Sequence, residues 1–184
     1  MAIINNVIIL LSVCELTDYN VAAYAATLLC KLPNGNMHVK QITGGHAFET
    51  TNRVTLYGAA AALKQLTKFS CNVTIASNAY YLTHNQTFLP QWQENAKKYS
   101  AHPDIWLRTA ERTTKRKDGT ESKKTRVVGM VANQDLWEEI LAASEKHKVT
   151  YTLAFESSWL KYKKMTDSLA RQTAWKTVNR MRGF

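Results

Sequence analysis

The chain has 184 residues and a formal net charge of +10; 45% of its residues are hydrophobic and 21% are charged. That length and composition suit one folded domain with a sizeable core, and exclude a disordered tail or a small disulfide scaffold. The positive excess is larger than solubility requires and points to an anionic partner, of which nucleic acid is the commonest.

The excess is confined to two segments. Residues 104–131 hold eight bases against four acids, a net of +4, and residues 159–184 hold seven bases against Asp167 alone, a net of +6. Cys14, Cys30 and Cys71 lie far apart among apolar residues with no metal-ligand spacing. They read as reduced core thiols of a cytoplasmic protein.

In chain order, residues 3–13 form the first apolar run. It is too short to span a bilayer and lacks a basic leader and a small-residue cleavage pattern, so it reads as a buried central strand with no membrane role. NVAAYAATLLCK (20–31) is a second strand, and Pro33-Asn34-Gly35 turns the chain into a third, MHVKQITGG, completing an antiparallel meander. In ETTNRVTLYGAAAALKQLTK, Val54, Tyr57, Ala61 and Leu66 recur at helical spacing, with Thr50 or Thr51 as the cap. NVTIAS (72–77) is a fourth strand, parallel to the first under the right-handed crossover rule.

Residues 79–99 read as helix interrupted at Pro90. Residues 105–131 read as two basic, alternating arms around Asp118-Gly119, a hairpin signal. NQDLWEEILAASEKHK is an amphipathic helix, VTYTLAFES a fifth strand, and 159–182 a final basic helix. The predicted fold is α/β, a five-stranded mixed sheet flanked by helices, in one domain over 1–184. The basic hairpin 105–131 is an insertion, and the basic C-terminal helix occupies 159–184.

Four stretches, in order, resemble type 1 ribonuclease H. TTNRVTLYGAAAAL resembles the family's helix pattern Thr-Thr-Asn-Asn-Arg-Met-Glu-Leu, and VTIASNAYYL its strand ending in Thr-Asp-Ser. NQDLWEEI resembles its Asn-x-Asp-Leu-Trp helix start, and MTDSLARQTA its Asp-Glu-Leu-Ala-Arg helix. The resemblance covers most of the chain and implies an RNase H-like fold. It also implies four carboxylates that hold two divalent ions to hydrolyse a phosphodiester.

Those carboxylates are largely lost. The first-strand aspartate falls at Leu11 or Ser12, the helix glutamate at Thr55 and the fourth-strand aspartate at Asn78; Asp167 alone is retained. The catalytic histidine loop corresponds to about 156–160, which has no histidine. Glu15, Asp18, Glu49 and Glu156 are acids that could be recruited, with Glu156 favoured because it ends the fifth strand near the site. Asp167 is either a weak metal ligand or an ordinary helix acid paired with Arg171 one turn on.

Binding positions are better kept. Asn52 matches one asparagine of the family's sugar-reading pair, and Arg53 is retained. Trp92, Lys97 and Lys98 resemble its strand-gripping handle. On the hairpin, Arg112, Lys115, Arg116, Lys117, Lys123, Lys124 and Arg126 would meet phosphates, as would Lys161, Lys163 and Lys164 of the last helix. Trp106 could stack on a base or anchor the hairpin.

The leading expectation is a catalytically inactive RNase H-like protein that binds RNA, RNA–DNA hybrid or single strands and needs no cofactor. Two alternatives stay open. One is an accessory module of a virus or mobile element that docks on a host protein or ribonucleoprotein. The other is a residual nuclease, which would require magnesium or manganese.

Overall fold

The computed structural model describes residues 5–66, 70–115 and 120–183. In chain order the elements are β1 (Asn5–Leu16), β2 (Val21–Lys31), β3 (Met37–Ala47), α1 (Thr51–Leu63), β4 (Cys71–Ser77), α2 (Tyr80–Asn85) and α3 (Leu89–Tyr99). There follow β5 (Leu107–Lys115), β6 (Glu121–Met130), α4 (Gln134–Ser144), β7 (Lys148–Thr152) and α5 (Leu160–Met181). They group into two compact units. One comprises the described residues up to His84 and from Asp135 on; the other is Asn85–Gln134.

The first unit is built on a five-stranded sheet of order β3-β2-β1-β4-β7. β1 pairs antiparallel with β2, and β2 with β3, whereas β1–β4 and β4–β7 are parallel. This is the predicted mixed topology. β1 is apolar on both faces because both are covered: Ile9, Leu10 and Leu11 are fully buried. Each such side chain contributes about 1.5–3 kcal/mol on leaving water.

Small residues set the closeness of the layers. A Cβ on Gly58 of α1 would lie 2.7 Å from Leu11 Cδ1 and 2.9 Å from Tyr24 Cγ, so α1 sinks onto that face. On the other face α5 presents Thr166, Ala170, Ala174, Thr177 and Val178, a buried stripe at helical spacing. Ala174 and Val178 pack on Val21 and Ala23. The buried hydroxyls of Thr27 and Thr166 bond each other at 2.6 Å, which satisfies both.

Three boundaries differ from the sequence expectation. α1 ends at Leu63, short of Leu66, and its buried surface is a broad band from Val54 to Leu63 rather than one stripe; its glycine and alanines allow that depth. Thr50 is the cap, its hydroxyl accepting the Arg53 N–H. Pro90 starts α3 instead of interrupting a helix, because the first turn has no backbone N–H to lose. β7 stops at Thr152, where its partner β4 runs out.

In the second unit, α3 packs on the β5–β6 hairpin. The buried Asn95 amide donates to Leu107 O and to Thr109 Oγ1, both at 3.1 Å. Trp92 and Trp106 are buried at 8% and 5% exposure, so both serve as core of this unit and not as stacking surfaces. The expected turn at Asp118-Gly119, with Arg116 and Lys117, lies outside the described residues.

Candidate functional site

The parallel register ends with Leu11 beside Ser77, which brings Ser12 and Asn78 next to each other at the carboxyl ends of β1 and β4. In open α/β sheets this is where ligands are met. Strand alternation decides between Leu11 and Ser12. Leu11 is buried toward α1, while Ser12 points to α5, where its hydroxyl donates to Asp167 Oδ1 at 2.5 Å. Of the two, Ser12 is the one that meets Asp167.

Asp167 is claimed by a lysine. Lys163 Nζ lies 2.5 and 2.6 Å from the two carboxylate oxygens, and its side chain is only 14% exposed. The same ammonium sits 5.1 Å from the centroid of the Phe155 ring. The partner of Asp167 is thus Lys163, one turn before it, and not Arg171.

The other positions offer no charge. Thr55 is buried on α1, across the sheet from Asp167, and its hydroxyl donates to Thr51 O at 2.8 Å. Asn78 is exposed at the strand tip, held by a turn in which Ser77 Oγ accepts the Ala79 N–H at 3.2 Å. A magnesium ion needs oxygen ligands at about 2.0–2.1 Å in near-octahedral array. One carboxylate already neutralised by an ammonium, two neutral hydroxyls and one neutral amide do not fit that ion, still less a pair. Among the described residues, no group of three or more His, Cys, Asp or Glu side chains is placed to hold a metal.

The recruitable acids are otherwise engaged. Glu15 accepts a hydrogen bond from the Thr51 hydroxyl, and Glu49 lies 3.2 Å from Arg53 Nε. Asp18 sits in the 3-10 turn Thr17–Tyr19. Glu156 lines a pocket with Asn6, Ile8, Asn72 and Thr74, early residues of β1 and β4. That is four or more residues before Ser12, about 13 Å along the strand, so the chain after β7 carries Glu156 away from the candidate centre.

Arg53 is a brace. Its guanidinium donates to both oxygens of Asp135 at 3.1 and 2.8 Å and to the Tyr57 hydroxyl at 3.0 Å. The hydrogen bonds to Asp135 raise its pKa further, while Arg53 holds the Asp135 carboxyl below the usual carboxylate range. Asn52 is exposed on the first turn of α1, and Lys161 and Lys164 are exposed on α5. In the second unit Lys97 and Lys98 are exposed at the end of α3, where a hydrogen bond with Tyr99 raises the Lys98 pKa.

The hairpin register sorts its charges by face. Ala110 pairs with Arg126 and Arg112 with Lys124, whereas Glu111, Thr113 and Lys115 pair with Thr125, Lys123 and Glu121. Paired positions share a face, and faces alternate. One face thus carries Arg112, Lys124 and Arg126 with no acid, and the other balances Lys115 and Lys123 with Glu111 and Glu121. Arg112 opposite Lys124 is a like-charge pair that costs stability unless something neutralises it.

No protein-family model matches the chain. It is 32% identical over 149 residues to the ribonuclease H of Pelobacter propionicus, an alignment covering 80% of this chain and 72% of that protein. The chain belongs to the ribonuclease H family. Among solved ribonuclease H folds, LC9-RNase H1, a type 1 RNase H with the type 2 active-site motif, superposes with a TM-score of 0.68 at 15% identity, covering 94% of this chain and 74% of that one. LC11-RNase H1 in complex with RNA/DNA hybrid superposes with a TM-score of 0.57 at 10% identity, over 94% and 99%. Among the described residues of this ribonuclease H relative, no helix is long and apolar enough to cross a membrane.

The sequence reading missed Asp135 and Tyr57 as partners of Arg53, and the role of Lys163. The spacing of Lys163 and Asp167 carried that signal, since residues four apart on a helix are neighbours.

Proposed function

We propose that this ribonuclease H family member binds nucleic acid without cutting it. The observation that carries the reading is the Lys163 ammonium on both oxygens of Asp167, beside Ser12, in place of a metal cluster. An internal cation supplies the positive charge that a metal would bring, but it cannot activate a water as a bound divalent ion does. The nucleic-acid partner is supported by the family and by the hybrid-bound neighbour.

In the second unit, the hairpin face of Arg112, Lys124 and Arg126 and the exposed Lys97 and Lys98 would supply phosphate contacts; in the first, the exposed Lys161, Lys164 and Asn52 would do so. We take 1–184 as one ribonuclease H-like domain carrying 105–131 as its insertion. The test is binding to RNA–DNA hybrid, duplex RNA and single strands across salt, together with cleavage in magnesium and manganese. Salt-sensitive binding without cleavage is expected. Cleavage abolished by Asp167→Ala would restore the nuclease reading. Absence of salt-sensitive binding, with a protein partner retained after nuclease treatment, would favour a protein-docking module.

A further inference from the structure

A cleft of about 530 Å³ opens where the end of β3 meets the C-terminal half of α5. Gly44 and Gly45 let its walls approach closely: a Cβ on Gly45 would lie 1.9 Å from Thr177 Oγ1, and one on Gly44 would lie 2.4 Å from Tyr24 Cε1.

The walls combine two chemistries. Lys176 and Arg180, one turn apart on α5 and exposed, supply positive charge, and among the described residues no acidic side chain lines the cleft. Thr173 and Thr177 donate their protons to Leu169 O at 2.8 Å and Thr173 O at 2.9 Å. Toward a ligand these two hydroxyls can only accept, so the group facing them must be a donor.

In a chain of this family, a ligand that is anionic at one end and donates a hydroxyl hydrogen bond beside it is a ribonucleotide. We propose that this cleft binds one nucleotide unit, its phosphate on Lys176 and Arg180 and its ribose 2′-hydroxyl donating to Thr173 or Thr177. The proposal extends the nucleic-acid reading to a second location. Lys176 lies nine residues beyond Asp167 on α5, about 13 Å along the helix, so the cleft is separate from the degenerate centre. The unit could belong to a strand or be a free nucleotide, since both present the same phosphate and ribose.

The test uses the full chain with two probes, a short fluorescein-labelled oligouridylate and free uridine 5′-monophosphate. The variant Lys176→Gln/Arg180→Gln removes the charge. Thr173→Phe keeps the charge and fills the cleft. Lys146→Gln/Lys148→Gln, both exposed on and before β7, is the equal-charge control. Loss of this phosphate contact should weaken oligouridylate binding about tenfold and make the slope of log K against log salt shallower by about 0.7.

Thr173→Phe should weaken binding comparably, and the control by less than about twofold. Uridine monophosphate that shifts the Gly44 and Gly45 amide resonances in the wild type but in neither cleft variant identifies a pocket for a single nucleotide. Strand binding alone, with the same variant dependence, identifies a strand contact. Cleft variants indistinguishable from the control with both probes would overturn the proposal. If the wild type binds neither oligouridylate nor RNA–DNA hybrid or duplex RNA, the broader reading fails, and the monophosphate shifts alone decide the cleft: their presence sustains it and their absence overturns it.

Discussion

Lys124→Glu should raise the stability of the protein and lower its affinity for nucleic acid at the same time. Arg112 and Lys124 are direct cross-strand partners, so their Cβ atoms are about 5 Å apart. In water two unit charges at that distance interact by about 0.8 kcal/mol, reduced to about 0.5 by a Debye length of about 10 Å in 0.1 M salt. Reversing one sign changes repulsion into attraction, a gain of up to about 1 kcal/mol, which for a chain of this size is about 2–4 °C in melting temperature. Nucleic-acid binding should weaken about threefold or more, with the salt slope shallower by about 0.7–0.9, as one phosphate contact is lost. Thermal melts at low and high salt, beside fluorescence anisotropy across salt, give both numbers. Unchanged affinity, or a fall in melting temperature, would refute the assignment of this face as the phosphate-contacting one.

Lys163→Met keeps the packing of the stem and removes the ion pair with Asp167. Because Asp167 is half-exposed, the expected loss is only about 0.5–1 kcal/mol by denaturant melts. Gly45→Ala should cost about 1–3 kcal/mol through its collision with Thr177, and Thr177→Ala should recover most of it, so a double-mutant cycle measures the coupling. Asp135 has a folded pKa below its unfolded value of about 3.9, chiefly through its hydrogen bonds with Arg53. Its contribution is present above that value and is lost as pH falls through the folded pKa. Asp135→Asn should therefore destabilise at pH 7 and be nearly neutral well below pH 3, read from urea midpoints at the two pH values.

Much of the fold was legible because it rests on local signals. From Val7 to Leu11, β1 is apolar at every position, as a strand covered on both faces must be, and the Pro33-Asn34-Gly35 turn has Gly35 at φ 84° as a tight turn requires. The degenerate positions Ser12, Thr55, Asn78 and Asp167 could be located by resemblance, but their interactions could not. Lys163 and Arg171 are equally spaced from Asp167, and an acid preceding its base is the better order on an isolated helix. Phe155 and Ser12, brought in from other elements, tip the choice to Lys163. Likewise, the one-sided charge of the hairpin follows only from its register, and the close approach of α5 to β3 only from Gly45 meeting Thr177, more than 130 positions away.

The most direct test of the central claim is a manganese titration of the purified protein with bound RNA–DNA hybrid, followed by paramagnetic resonance and repeated with Asp167→Ala. If Lys163 has replaced the metal cluster, wild type and variant bind manganese alike, with no stoichiometric site on the protein at millimolar metal. A tight site that is present in the wild type and lost in Asp167→Ala would contradict the account.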